Sequence, residues 1–278
     1  MEKMNLSPAN NQSILRMIEK PHGILLVVGP TGSGKTTTLH AVLGHINTPD
    51  KKIWTAEDPV EITQAGLQQV QVSPRIGFTF ASALRAFLRA DPDIILIGEM
   101  RDKETAHAGV EASLTGHLVF STLHTNSAPE TITRLLDLGI DPVNFSDACI
   151  GILAQRLVRT LCKNCKESTP ASDTDVEFIT RQYGAGYLSE LSLQPTLMLH
   201  KPKGCDRCGN TGYKGRTGVH ELLSMTPALR SLVYKEAPVS QLKAQAMEDG
   251  MRTLIQDGIL KVLKGDTDIA QIQMLAGV

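Results

Sequence analysis

The chain has 278 residues, enough for about two domains and for a core that needs no disulfide support. Lys and Arg total 28 against 29 Asp and Glu, a formal net charge of -1, and aromatics make up 4%, so neither a global basic field nor base stacking argues for nucleic acid. Apolar residues at 41% and charged residues at 21% exclude a disordered, collagenous or coiled-coil chain.

In chain order, the first half alternates strands and helices. Residues 23–28 are a continuous apolar run and read as a buried parallel strand. A Gly-rich turn leads into a helix over 36–43, and 52–56 is a second strand. Residues 79–90 place Phe80, Ala83, Leu84, Phe87 and Leu88 at helical spacing. A third strand over 93–97 ends in Gly98-Glu99, a helix spans 103–114, and 117–122 is a fourth strand. This alternation predicts an α/β fold of βαβ units around a parallel-rich sheet. Further on, 128–138 and 144–161 read as helices, the latter running into the first cysteine pair and carrying Cys149 as a core residue. Residues 168–200 are loop-like at first, and the end is a small helical array over 226–275. The longest apolar runs are strand-sized, far short of the roughly 20 residues that cross a bilayer, and the N-terminus lacks a signal-like apolar segment. The expectation is a cytoplasmic chain without a transmembrane segment.

Gly29, Pro30, Thr31, Gly32, Ser33, Gly34, Lys35 and Thr36 fit the phosphate-loop pattern GxxxxGK[ST] in full, directly after a strand and opening a helix. Glycines let backbone N–H groups turn inward on phosphate oxygens, and the helix presents its positive end to the same charge. Lys35 reaches the β and γ oxygens of ATP, and Thr36 offers its hydroxyl to Mg²⁺. The run 93–99 is an apolar strand ending in an acid, with Gly98 where an Asp is common, so Glu99 is the candidate to polarise the attacking water. Glu57, Asp58 and Glu61 follow the second strand and are placed to hold Mg²⁺ through water; by themselves they would read as a solvated turn. His124, after the fourth strand, reads either as a γ-phosphate sensor or as a structural histidine, and His117 has the weaker claim.

Cys162, Cys165, Cys205 and Cys208 form two CxxC pairs separated by residues 166–204. Four thiolates make a closed tetrahedral site of the kind that holds structural zinc, Zn²⁺; redox pairs are the alternative.

These motifs resemble the secretion ATPases that power type II secretion and type IV pilus assembly. The resemblance rests on GPTGSGKTTT, TAEDPVEI, LRADPDIILIGEMRDKETA, TGHLVFSTLHTNSA, AQRLVRTLC and GCDRCGNTGYKGRTGVHELL, in that order along the chain. It implies a RecA-like core over 21–160, a tetracysteine zinc-binding segment over 161–215 and a C-terminal helical subdomain over 216–278. Residues 1–20 resemble the end of a domain that precedes the core in this family. Further implications are a homo-hexameric ring and attachment at the inner face of the inner membrane. The expected partners are an inner-membrane platform protein and cytoplasmic assembly proteins. Lys35, Glu57, Glu61, Glu99 and His124 match catalytic positions, and Asp58 a nucleotide-site position. Retraction ATPases of the same family normally lack the four cysteines, and a nucleic-acid translocase would carry a basic stripe. In the family, arginines of the preceding domain close over the nucleotide, so the expectation for these residues alone is ATP binding with slow turnover and little ring formation.

Overall fold

The structure, a computed structural model, describes residues 4–191 and 197–277. The first three residues of the expected 1–20 segment, part of the loop-like stretch 168–200 and Val278 lie outside the described residues.

The elements follow one another as α1 (Pro8–Ile18), β1 (Gly23–Val28), α2 (Lys35–Ile46), β2 (Ile53–Glu57), β3 (Leu67–Gln71), α3 (Phe80–Leu88), β4 (Ile94–Ile97), α4 (Lys103–Leu114), β5 (Leu118–Leu123), α5 (Ala128–Asp137) and α6 (Pro142–Ala148). Then come β6 (Cys149–Leu161), β7 (Glu167–Pro170), α7 (Asp173–Tyr183), β8 (Met198–Lys201), β9 (Tyr213–Ser224), α8 (Pro227–Tyr234), α9 (Val239–Glu248), α10 (Leu254–Leu263) and α11 (Ile269–Ala276). Packing divides the chain into two units: Met1–Gln155 with Glu221–Met251, and Arg156–His220 with Arg252–Val278.

A seven-stranded sheet has the order β3-β2-β4-β5-β1-β6-β9. Parallel pairs join β3 to β2, β2 to β4, β4 to β5, β5 to β1 and β1 to β6. In the first unit, strand residues alternate between two apolar layers. Ile24, Leu26 and Val28 pack into one layer with helices from α3 to α9, while Leu25 and Val27 pack into the other with α1 and α2. Both faces are covered, which explains the unbroken apolar runs of β1 and β4 and the full burial of β5. Helix starts follow local chemistry: Thr79, Asp102, Ser127 and Thr226 each accept a backbone N–H of the first turn.

One expectation is corrected. Residues 144–161 are not one helix: α6 ends at Ala148 and β6 begins at Cys149. Ile150, Leu153, Ala154, Leu157, Val158 and Leu161 do recur at helical intervals. From Cys149 to Ala154, however, every residue is buried, and a run covered on both faces suits a central strand. Gly151 permits this placement, because a Cβ there would lie 2.6 Å from the Met17 sulfur and 3.1 Å from the Leu223 carbonyl oxygen. Cys149 is a core residue on this strand, its thiol pushed up to about 12 by burial. The helical array expected over 226–275 is α8 to α11, with β9 ending at Ser224 just ahead of it.

The second unit has its own core of Val158, Phe178, Ile179, Tyr183, Leu199, Val219, Ile259, Val262 and Ile272, with β7 and β8 paired antiparallel.

Candidate functional site

The parallel strands deliver the sequence motifs to one edge. The phosphate loop follows β1, the acidic box β2, Gly98-Glu99 β4 and His124 β5. Ligands in open α/β sheets bind at this C-terminal edge. Register holds the motifs side by side: Val28 lies opposite Leu123, Ile97 opposite Ser121 and Ala56 opposite Ile97. The Gly29 N–H donates to Leu123 O (3.2 Å), the Gly98 N–H to Ala56 O (2.8 Å), and the Thr122 hydroxyl to Gly98 O (2.7 Å).

Gly34 stands at the N-cap of α2 with φ 85°, a left-handed conformation that turns the loop onto the helix, and no side chain caps that end. Lys35 is buried, and its ammonium donates to Gly29 O (2.9 Å) and Pro30 O (3.0 Å), folding back inside the loop. Thr36 is half-buried on the same turn. The Ser33 hydroxyl is buried without a hydrogen-bond partner among the described residues. An ammonium in the loop, an uncapped helix start and an orphaned hydroxyl form a donor-rich cradle that fits phosphate.

Sequence reasoning missed the brace beneath this loop. Gln155 on β6 is 3% exposed; its amide donates to Ser33 O (2.6 Å), and its oxygen accepts from the Thr38 hydroxyl (2.7 Å). A Cβ on Gly29 would come within 2.4 Å of Gln155 O, so only glycine passes there. The reading of this segment as helix hid Gln155; the phrase AQR before the cysteine pair was the available signal.

Glu99 and His124 come together. Glu99 is 9% exposed, its Oε2 lying 3.4 Å from His124 Nε2 and 2.5 Å from Arg101 Nε. Of the acidic box, Glu57 is buried whereas Asp58 and Glu61 are exposed. Glu57 accepts hydrogen bonds from Thr55 (2.6 Å) and Gln69 (3.0 Å) and pairs with His40 Nε2 (3.2 Å). Burial alone would raise the Glu57 carboxyl, but these three partners outweigh it and hold it below its ordinary range. His40 was not singled out in the sequence. His117 sits before β5, at the other end of that strand from His124, with Nδ1 3.0 Å from Ala112 O. A depression of about 580 Å³ lined by Asn47, Lys51, Ile53 and Gly66 lies beside the start of β2, away from the motif-bearing strand ends.

The four cysteines of the two pairs converge within the second unit, their sulfurs all within 4.8 Å of one another. Cys162–Cys205 is 3.9 Å, and Cys165–Cys208 and Cys205–Cys208 are each 3.8 Å. A tetrahedral ion with metal–sulfur bonds of about 2.3 Å needs edges of about 3.8 Å, so the set fits such an ion. All four are free thiols. Burial would raise the Cys208 thiol, but the N–H groups of Cys205 (3.2 Å) and Gly212 (3.3 Å) point at its sulfur and bring it down to about 6.

A family profile described as "Type II/IV secretion system protein" matches residues 1–274. The chain belongs to this family. Similar members include the type IV pilus assembly ATPase PilB of Thermus thermophilus, 47% identical over 98% of this chain and 30% of that protein. Type II secretion system protein E of Aeromonas hydrophila is 45% identical over 98% of this chain and 52% of that protein. The chain therefore spans about half or less of the length of these relatives. Among solved structures, the Legionella pneumophila ATPase DotB superposes with a TM-score of 0.69 at 25% identity, over 100% of this chain and 65% of that one. The pilus retraction motor PilT with bound ADP gives 0.69 at 28% identity, over 99% and 66%. The RecA-like, parallel-rich α/β core expected from the motifs is thus the fold this family shares. Among the described residues no helix is long and apolar enough to cross a membrane.

Proposed function

We propose that these residues form the ATP-hydrolysing unit of a motor for type II protein secretion or type IV pilus assembly. The observation that carries the proposal is the convergence at one sheet edge of the Lys35 loop with its orphaned Ser33 hydroxyl and the Glu99–His124 pair. Relatives at 45–47% identity with secretion and pilus-assembly names support the choice of machine.

Residues 29–36 bind the triphosphate: backbone N–H groups and the α2 start meet its oxygens, and the Lys35 ammonium exchanges its loop carbonyls for β and γ oxygens. Thr36 and, through water, Asp58 and Glu61 would hold Mg²⁺, which would supply charge neutralisation to the phosphates. Glu99 orients the attacking water and takes its proton. His124, in contact with Glu99, senses the γ-phosphate. Glu57 anchors the acidic box from inside the fold. Cys162, Cys165, Cys205 and Cys208 hold a structural Zn²⁺ that fastens the end of β6 to the segment before β9. Family relationship supports a cytoplasmic place at the inner membrane, a hexameric ring and an inner-membrane platform partner.

A coupled phosphate-release assay, with and without DNA, tests the reading. Mg²⁺-dependent release, indifferent to DNA, is expected. Failure to bind nucleotide would refute the site, and strong stimulation by DNA would favour a translocase.

A further inference from the structure

His124 stands in the short loop 124–127 that joins β5 to α5. At the β5 end this loop is fixed by the sheet, where Leu123 O accepts the Gly29 N–H. At the α5 end it is fixed from far along the chain. Glu221 on β9 is 3% exposed, and its Oε1 accepts the Ala128 N–H at 2.7 Å. Strand alternation turns Glu221 toward α5: Leu223, two residues on and therefore on the same face, packs in one layer with Ala128 and Ile132, while Leu222 packs in the other layer. An acidic side chain suits the positive start of a helix. The neighbouring first-turn positions have their own solutions, since Pro129 has no N–H and the Glu130 N–H goes to Ser127 Oγ (3.3 Å).

The loop is also tied to the helix it precedes. The Thr131 hydroxyl, buried on α5, donates to Ser127 O (2.9 Å) and lies 2.7 Å from the Thr125 hydroxyl. Residues 125–127 and the first turn of α5 therefore hold together, and whatever anchors Ala128 anchors the residue next to His124.

We propose that Glu221 is a positioning residue for hydrolysis, which fixes the start of α5 and thereby keeps His124 against Glu99. The proposal rests on the ATP-hydrolysis reading and on the place of His124 in it. Glu221 acts through the loop, so its loss shows in turnover, whereas ADP, which has no γ-phosphate for His124 to meet, binds as before.

The test follows single-turnover hydrolysis, ADP affinity and the His124 ring signal by NMR on the 278-residue chain. It compares the wild type, Glu221→Gln, Glu221→Leu, His124→Ala and the combination of Glu221→Leu with His124→Ala, the His124 signal being assigned by its absence in His124→Ala. Glu221→Gln keeps an acceptor oxygen at the same reach, and Glu221→Leu keeps bulk without an acceptor. Glu221→Leu should slow hydrolysis by roughly 10- to 100-fold, the scale of a small misplacement, with ADP affinity unchanged and the His124 signal moved. Glu221→Gln should restore both the rate and the signal. With His124 already replaced, Glu221→Leu should cost little more, because effects that pass through one residue do not add. Should Glu221→Leu fail to fold, Glu221→Asp, whose acceptor falls one methylene short, is read in its place. A wild-type rate in Glu221→Leu or in His124→Ala, an equal cost of Glu221→Leu with and without His124, or a Glu221→Gln enzyme as slow as Glu221→Leu overturns the proposal. ADP binding without hydrolysis in the wild type would count against the hydrolysis reading instead. The ring signal then decides the anchor: moved in Glu221→Leu and kept in Glu221→Gln upholds it, unmoved in both refutes it.

Discussion

Gln155 illustrates how much of the nucleotide site hangs on one buried amide. It joins Ser33 of the loop to Thr38 of the following helix and has no exposed surface to speak of. Gln155→Leu keeps the volume but leaves the Ser33 carbonyl and the Thr38 hydroxyl without these partners. Each orphaned buried group costs about 1–3 kcal/mol, so urea melts should show a loss of that order, together with weaker nucleotide binding. A variant with the parent's midpoint and affinity would show that the loop is braced elsewhere. At this scale legibility was uneven. Lys35, Thr36 and Glu99 were readable because their spacing encodes local geometry: a strand end, a turn, a helix start. Gln155 and His40 were not, since each acts through a partner distant in sequence, Ser33 from β6 and Glu57 from α2.

Elements were legible where one principle dominated. The expected helix over 103–114 and the observed α4 coincide, helped by the Asp102 cap. The strands β1, β4 and β5 shift by at most a residue from their apolar runs. The polar β3, with its sequence LQQVQ, carries no burial pattern to read, because among the described residues it is the edge strand of the sheet, beside β2. For β6 two rules competed, and burial on both faces outweighed helical spacing. In α10 a different element-scale device appears. Asp257 and Lys261, one turn apart and each 4% exposed at the side chain, pair at 2.5 Å, and Asp257 also accepts the His220 backbone N–H (2.8 Å). Burial raises the Asp257 carboxyl, and Lys261 opposes that rise. Lys261→Met leaves the carboxylate buried without its cation and should destabilise the protein by about 3–5 kcal/mol. Denaturant unfolding checks this: a change below about 1 kcal/mol would mean that Asp257 is neutral or relieved by another donor.

Over the whole chain, two sites are separable by experiment. The thiolate cluster lies in the second unit and the phosphate loop in the first. Protein purified without chelator should carry about one zinc per chain, with the metal lost and the melting temperature lowered in Cys205→Ser, because ligation and folding are coupled. Nucleotide binding at residues 29–36 should survive that change, and absence of zinc from the parent by elemental analysis would refute the metal reading. The decisive measurement concerns Glu99. Single-turnover release of the γ-phosphate should be followed for the parent and for Glu99→Gln, with nucleotide affinity determined on the same samples. Expected is equal affinity with release slowed by roughly 10²- to 10⁴-fold in the variant, the worth of a positioned base. Equal release rates at equal affinity would contradict the assignment of Glu99 as the residue that activates water.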